Sequence, residues 1–291
     1  MKIMAFVKRK IEVLITLGKG QNGEDGVEEI TLKDLRVAAN ITYLNNAYQA
    51  DAQIAVFGLS QSLINQLTGT GPNALVQRQN KIQVFAGDEG SVLSLVYTGT
   101  ILFGYGDFMA APDTPFIFDC RGGYFEALKP VTPTDFKGEV DIGQVMTAIV
   151  AKMRGVVFDN HCGPIILTNP NYSGTAYRQA EACAKEANVN MLLENDRLII
   201  YPKNGYRPEA SGPIEISKET GMDGYPTFSG GGIAVTTEFN KNVGVGKQIR
   251  VKSDITVANG EWNVFTVLHN LESEMPDGPW FTNIHAARWN K

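Results

Sequence analysis

The residue types that most often carry out catalysis are scarce in this chain and do not form a known catalytic pattern. The only histidines are His161, His269 and His285. His161 stands next to Cys162, a pair that could bind a metal or act as a thiol nucleophile with its base. Adjacent residues point in different directions on any regular element, and no second Cys/His pair has a ligand spacing. We therefore predict structural or incidental roles for these residues.

Glycine-rich segments, which can cradle phosphate groups, occur at 69–71, 230–232 and 244–247. A phosphate loop needs glycine-rich backbone that leads into a helix, because the free N–H groups of the first turn must face the anion. The last two segments lead into predicted strands, and none of the three completes a nucleotide-binding motif. We interpret all three as turns.

Carboxylates do not form a recognisable site either. The acidic segment at 24–29 lacks the alternation of a calcium loop, and the sequence cannot place Glu272 and Glu274 around a substrate. Neither Gly-x-Ser-x-Gly nor His-Glu-x-x-His occurs. We predict that the protein is not an enzyme, that it uses no cofactor, and that it has no catalytic, cofactor-binding or metal site.

Composition limits the classes of partner. The net charge is -5 and no run of five Lys/Arg occurs, so we expect no required contact with nucleic acid. No apolar run approaches 18 residues, which predicts no membrane insertion, and Glu12 interrupts the apolar run at 11–17, which argues against a signal peptide. The cysteines Cys120, Cys162 and Cys183 have no spacing pattern, which indicates reduced thiols and synthesis in a cytoplasm.

The elements that would position any site are mostly strands. With 291 residues and 30 glycines, the chain is long enough for two or three domains rich in strands and turns. Apolar residues alternate along 11–17, as in a strand with one buried face, and a short helix is predicted at 59–68. Short strands separated by glycine turns then follow: 81–86, 92–97 and 100–108. This spacing is typical of a small barrel or sandwich, and we assign an N-terminal β-domain to 1–130.

The middle segment, 131–210, is predicted to be an α/β subdomain. Asp141 is a suitable N-cap for an amphipathic helix over 142–153, and a second helix is expected over 175–188. A β-hairpin with a turn at Asn195-Asp196 then follows.

The C-terminal segment, 211–291, is strand-like again and is assigned to a second β-domain. The fold class is therefore mainly β, with two β-domains that flank an α/β subdomain. Residues 81–104 and 247–268 share a weak similarity. Two related barrels in one chain would explain this similarity, and chance resemblance between two β-hairpins would explain it nearly as well.

The C-terminal segment carries a recognisable order of motifs. It reads Gly260-Glu-Trp-Asn-Val, then His269-Asn-Leu, then Trp280-Phe-Thr, after the stretch Gly244-Val-Gly-Lys-Gln-Ile-Arg-Val. This order resembles the C-terminal part of the baseplate hub proteins of contractile-tailed bacteriophages, especially those of the Mu-like type. The residues that fit the family pattern are Trp262, His269, Leu271, Trp280 and Thr282.

The resemblance extends over nearly the whole chain. Ala52–Ser60 with Ile64–Thr68 resembles the first hub domain, and Tyr172–Thr175 with Tyr201-Pro202 resembles the α/β insert of the family. The resemblance implies that 1–130 and 211–291 are two similar small β-barrel domains that flank the α/β subdomain. It also implies a homotrimeric ring that joins a six-fold tail tube to a three-fold central spike. The implied partners are further copies of this chain, the tail tube protein, the central spike protein and other baseplate proteins. The implied location is the virion tail baseplate, assembled in the host cytoplasm.

Two alternative functions remain open at this point. One is a tail-associated cell-wall hydrolase, which activity on peptidoglycan would reveal; the other is a glycan- or receptor-binding module, which glycan binding by the isolated protein would reveal. Trp262 and Trp280 are expected to pack in a β-core, and a role at a subunit interface is the alternative.

Overall fold

The structure is a computed structural model, and it describes residues 8–18, 28–45, 49–68 and 80–288. It is mainly β, as predicted. The strands in chain order are β1 (Arg9–Leu17), β2 (Glu28–Leu32), β3 (Val37–Leu44), β4 (Asp51–Phe57), β5 (Lys81–Asp88), β6 (Ser94–Gly106), β7 (Pro115–Arg121), β8 (Thr134–Asp135), β9 (Glu139–Asp141), β10 (Val157–Asn160), β11 (Ile166–Thr168), β12 (Asn171–Tyr172), β13 (Val189–Glu194), β14 (Arg197–Pro202), β15 (Ile214–Ile216), β16 (Met222–Ser229), β17 (Gly232–Glu238), β18 (Gln248–Val251), β19 (Gly260–Ser273) and β20 (Trp280–Ala287). The helices are α1 (Gln61–Leu67), α2 (Tyr124–Leu128), α3 (Ile142–Val150) and α4 (Ala176–Glu186).

The chain divides into two compact units, each made of three segments. Unit 1 comprises Met1–Ile41, Asp51–Arg121 and His269–Trp280, and unit 2 comprises Thr42–Ala50, Gly122–Leu268 and Phe281–Lys291. The division at residues 130 and 210, and the closure of each β-region into a barrel, stay predictions. Among the described residues, no helix has both the length and the apolar content to cross a bilayer.

Unit 1 is built on a β-sheet. Its strands follow the order β3-β4-β7-β6-β5-β1-β2, and every neighbouring pair from β4 to β2 is antiparallel. The alternation predicted for β1 is confirmed, because Ile11, Val13, Ile15 and Leu17 are all buried. Burial of one such side chain stabilises the fold by about 1.5–3 kcal/mol.

Strand β6 differs from the prediction of two strands at 92–97 and 100–108. It is one strand, and Gly99 lies inside it. The Tyr97 ring occupies the space that a Cβ at position 99 would need. The glycine is therefore a packing requirement within the strand, and reading it as a turn was wrong.

The α/β part of unit 2 was predicted closely. Asp141 caps α3 by accepting a hydrogen bond from the Gly143 N–H at 2.8 Å. Asn195 and Asp196 both have positive φ, as a tight β13–β14 turn requires. The buried side chains of α3, α4 and one face of the hairpin form a single core. Strand β10 pairs with β14 in parallel and completes a three-stranded sheet.

The rest of unit 2 is β-structure. Strand β17 lies between β16 and β20, with antiparallel pairing on both sides, while β18 pairs with β15 in parallel and with β19 in antiparallel register. Strand β16 was not predicted, because its glycine and proline resemble a loop. Its pairing with β17 is interrupted between Asp223 and Thr227, which accommodates Pro226 in a strand at the end of the sheet.

Candidate functional site

The His161-Cys162 pair lies directly after β10, and His161 Nε2 lies 3.4 Å from Asp159 Oδ1. Burial raises the pKa of the Cys162 thiol to about 11, so the thiol stays protonated at neutral pH and is a poor nucleophile. All three cysteines are free. Among the residues that the structure describes, no group of three or more His, Cys, Asp or Glu side chains could hold a metal ion.

The other two histidines have different environments. His269 is buried on β19 within unit 1, and burial lowers its pKa to about 4. It is therefore neutral at physiological pH. His285 is exposed on β20, where its ring meets the ring of Phe265 edge-on at 6.2 Å.

The carboxylates Glu272 and Glu274 both belong to ion pairs of unit 1. Glu272 Oε1 accepts from Arg36 Nε at 2.8 Å. Glu274 lies 2.8 Å from Lys8 Nζ and 3.2 Å from Lys10 Nζ, and its hydrogen bond with Lys8 is the main cause that lowers its pKa. The two lysines therefore favour the charged form of the Glu274 carboxylate, which makes it poorly suited to act as a general acid.

Trp262 and Trp280 are both buried, in line with the expectation of β-core packing. In unit 2, Trp262 Nε1 donates to the Ala258 carbonyl at 2.8 Å, and the Arg288 guanidinium lies 4.1 Å from the ring centroid. In unit 1, the Arg9 guanidinium lies 5.4 Å from the Trp280 ring.

The glycine-rich segments form turns where the structure describes them. Segment 230–232 joins β16 to β17, and segment 244–247 precedes β18. Neither leads into a helix, so neither has the geometry of a phosphate loop. Segment 69–71 and residues 24–27 of the acidic segment lie outside the described residues.

Segment 244–247 nevertheless borders a polar cavity of about 390 Å³ in unit 2. Sequence reasoning missed this cavity because its walls come from parts of the chain that are distant in sequence. The residues that line it are Asp159, His161, Glu194, Asn195, Arg197, Ile199, Arg207, Pro208, Glu209, Lys241, Val243 and Lys247. His161 and Lys247 of the segment 244–247, both singled out from the sequence, border this cavity.

Residues 10–285 match the family model described as "Baseplate hub gp41". The chain belongs to this baseplate hub family. The resemblance found in the C-terminal motifs is thereby confirmed, since the match covers nearly the full length. No curated protein matches the sequence significantly.

Solved structures show the same fold at low sequence identity. A tail protein from Neisseria meningitidis MC58 has a TM-score of 0.60 at 12% identity, covering 95% of this chain and 96% of that one. The 43 kDa tail protein of prophage MuSo2 from Shewanella oneidensis has a TM-score of 0.59 at 11% identity, with coverage of 95% and 96%. A component of the E. coli type VI secretion system, described as similar to the T4 tail proteins gp27 and gp5, has a TM-score of 0.56 at 10% identity, with coverage of 95% and 77%.

These comparisons give the hub-family chain a structural role in a phage tail. The matched family is a structural baseplate hub, which favours a non-enzymatic role for the chain.

Proposed function

We propose that the protein forms a homotrimeric ring in the baseplate and joins the six-fold tail tube to the three-fold central spike. The observation that carries this proposal is the family match over residues 10–285. Three chains with two similar β-barrels each would present six barrels, and such a ring can adapt six-fold to three-fold symmetry.

The partners of this ring are then the tail tube protein, the central spike protein and other baseplate proteins. The ring assembles in the host cytoplasm, becomes part of the virion tail of a contractile phage, and stays in place during genome ejection. This role requires no cofactor, nucleic-acid contact or membrane insertion by the chain itself.

Oligomeric mass tests the proposal most directly. Native mass spectrometry of the purified chain, alone and with tube or spike protein, is expected to give three copies per complex. Electron microscopy of the assembled tail is expected to show three copies in the baseplate. A stable dimer, or six copies in the particle, would contradict the ring.

Enzyme assays test the non-catalytic part of the proposal. We expect no turnover of peptidoglycan, glycans, nucleotides or peptides by the purified chain. Peptidoglycan hydrolysis would support the cell-wall hydrolase instead, and tight glycan binding would support the receptor-binding module.

A further inference from the structure

The exposed large apolar side chains that the structure describes in unit 1 all lie in or beside three turns. Val92 and Leu95 lie at the turn between β5 and β6, Phe108 and Met109 at the turn between β6 and β7, and Met275 at the turn between β19 and β20. Val92 is 91% exposed and Met109 is 96% exposed. Single exposed apolar residues are ordinary on a protein surface, whereas a group of them on neighbouring turns marks an interaction site.

Ion pairs bring the three turns together. Lys8 Nζ lies 2.8 Å from Glu274 Oε2 and 4.0 Å from Glu89 Oε1, which joins the β19–β20 turn to the β5–β6 turn. Arg36 Nε lies 2.8 Å from the carboxylate two residues before Glu274, and its Nη1 lies 3.9 Å from Asp113 Oδ2 in the β6–β7 turn. The three turns therefore meet at one end of unit 1. We call this end the turn face, and it comprises residues 88–95, 107–114 and 272–279.

The most exposed apolar tip of the turn face is held in place by its own turn. The Met109 N–H donates to Asp107 Oδ1 at 3.1 Å, and the Asp107 N–H donates to the Pro115 carbonyl at 2.9 Å. The Phe108 ring lies against Gly106, where a Cβ would come within 3.0 Å of it. Because the turn is ordered by these contacts, a partner that covers Met109 loses little conformational entropy on binding.

The charge of unit 1 discriminates between the surfaces that could cover the turn face. Unit 1 contains 15 acidic and 10 basic residues, so it carries the whole net charge of -5, whereas unit 2 contains 16 of each. An anionic lipid surface, a nucleic acid or the turn face of a second copy would each meet charge of the same sign. A protein surface that is apolar with a basic rim meets charge of the opposite sign.

We propose that the turn face is a docking surface for another protein of the tail, one whose contact surface is apolar and rimmed by Lys and Arg side chains. Phe108 and Met109 supply the apolar centre, since aromatic residues and methionine are enriched in the cores of interfaces and methionine adapts to irregular surfaces. This docking surface rests on the proposed place of the chain in the baseplate, but it does not depend on the number of chains in the ring.

Complementation of a phage that lacks this chain tests the turn face. Purified full chain is titrated into an extract of cells infected by that phage, and its copies in the completed tails are counted by quantitative mass spectrometry. Met109→Gln keeps the length of the side chain but removes much of its apolar surface. We expect it to raise the concentration needed for half-maximal incorporation roughly tenfold or more. Because Met109 is exposed, circular dichroism and native mass of the variant alone should equal those of wild type.

Val257→Gln is the matched control. Val257 is an apolar residue of unit 2 that is 68% exposed and lies outside the turn face, so half-maximal incorporation should stay within about twofold of wild type. Added sodium chloride should weaken incorporation of wild type, because salt screens the attraction between opposite charges.

The possible failures are distinguishable. If wild type does not enter tails, the place in the baseplate and the turn face are both wrong. If Met109→Gln enters tails as well as wild type, or both variants lose equally, only the turn face is wrong. A loss of oligomer mass in Met109→Gln would assign the turn face to a contact between copies instead, and cosedimentation of wild type with phosphatidylglycerol vesicles would assign it to a lipid surface; either result overturns the proposal.

Discussion

Replacement of Trp262 is the most informative test of how the C-terminal β-region is built. Trp262→Ala removes a buried indole from β19, and truncation of such a ring typically costs about 3–5 kcal/mol. This loss is comparable with the whole stability of a domain, about 5–15 kcal/mol. The expected result is insoluble or unassembled protein, or a urea midpoint far below that of wild type.

Milder substitutions divide this loss into its parts. Trp262→Phe keeps most of the ring but leaves the Ala258 carbonyl without the donor that now lies 2.8 Å away, which should cost about 1–3 kcal/mol. Arg288→Gln removes the cation over the ring, worth about 0.5–1 kcal/mol at an exposed position, and also the hydrogen bond that Arg288 Nη2 donates to the Asn259 carbonyl at 2.6 Å. We therefore expect Trp262→Ala to be the most destabilised variant, with Trp262→Phe and Arg288→Gln both clearly more stable than it.

Tyr225→Ala is the control, because Tyr225 is an aromatic residue of β16 that is 62% exposed. Its loss should change the free energy of unfolding by less than about 0.5 kcal/mol. Urea unfolding followed by far-ultraviolet circular dichroism, with native mass spectrometry of the same samples, measures all four variants. Wild-type unfolding and full oligomer mass for Trp262→Ala would refute the placement of this residue in a stabilising core.

Three other predictions follow from the environments described above. Burial lowers the pKa of His269 in the folded protein to about 4, against an ordinary 6.5. The contribution of the neutral His269 to the free energy of unfolding is therefore fully present above pH 6.5, and up to about 3 kcal/mol of it is lost towards pH 4. His269→Gln should flatten this part of a plot of urea midpoint against pH. His161→Ala and Cys162→Ala should leave the oligomer mass unchanged, whereas hydrolysis abolished by either would contradict their incidental role. Glu194→Ala removes the carboxylate that lies 2.7 Å from Nη2 of the buried Arg207, and it should lower the free energy of unfolding by about 3–5 kcal/mol. Glu261→Ala, which breaks the exposed ion pair with Arg250, should lower it by less than about 1 kcal/mol.

The parts of the fold that could be predicted from the sequence are those whose caps, turns and apolar patterns lie in consecutive residues. The α3 helix has an N-cap and an apolar stripe in consecutive residues, and the β13–β14 hairpin has a turn pair that tolerates positive φ. Strand β16 was missed because Pro226 is a strong signal against a strand. Only the pairing of β16 with β17 in three dimensions shows how the chain accommodates it.

The cavity could not have been predicted from the sequence. Its cations lie at 197, 207, 241 and 247, and no spacing rule connects them. Segment 244–247 did stand out, but the helix that a phosphate loop requires was missing. The relation of this segment to Arg207 depends on a tertiary contact, because a Cβ at Gly244 would lie 2.6 Å from Arg207 Nη2.

The division of unit 1 into three chain segments has a consequence for the time at which it can fold. Residues 269–280 belong to unit 1, although they are synthesised about 150 residues after Arg121. At roughly 5–20 residues per second, the ribosome needs about 8–30 s to supply them. During this interval the earlier strands of unit 1 lack their last neighbour, so the unit is completed only after residues 122–268 of unit 2 have been synthesised. A nascent chain therefore cannot present a finished unit 1 to other tail proteins before unit 2 has been almost entirely synthesised.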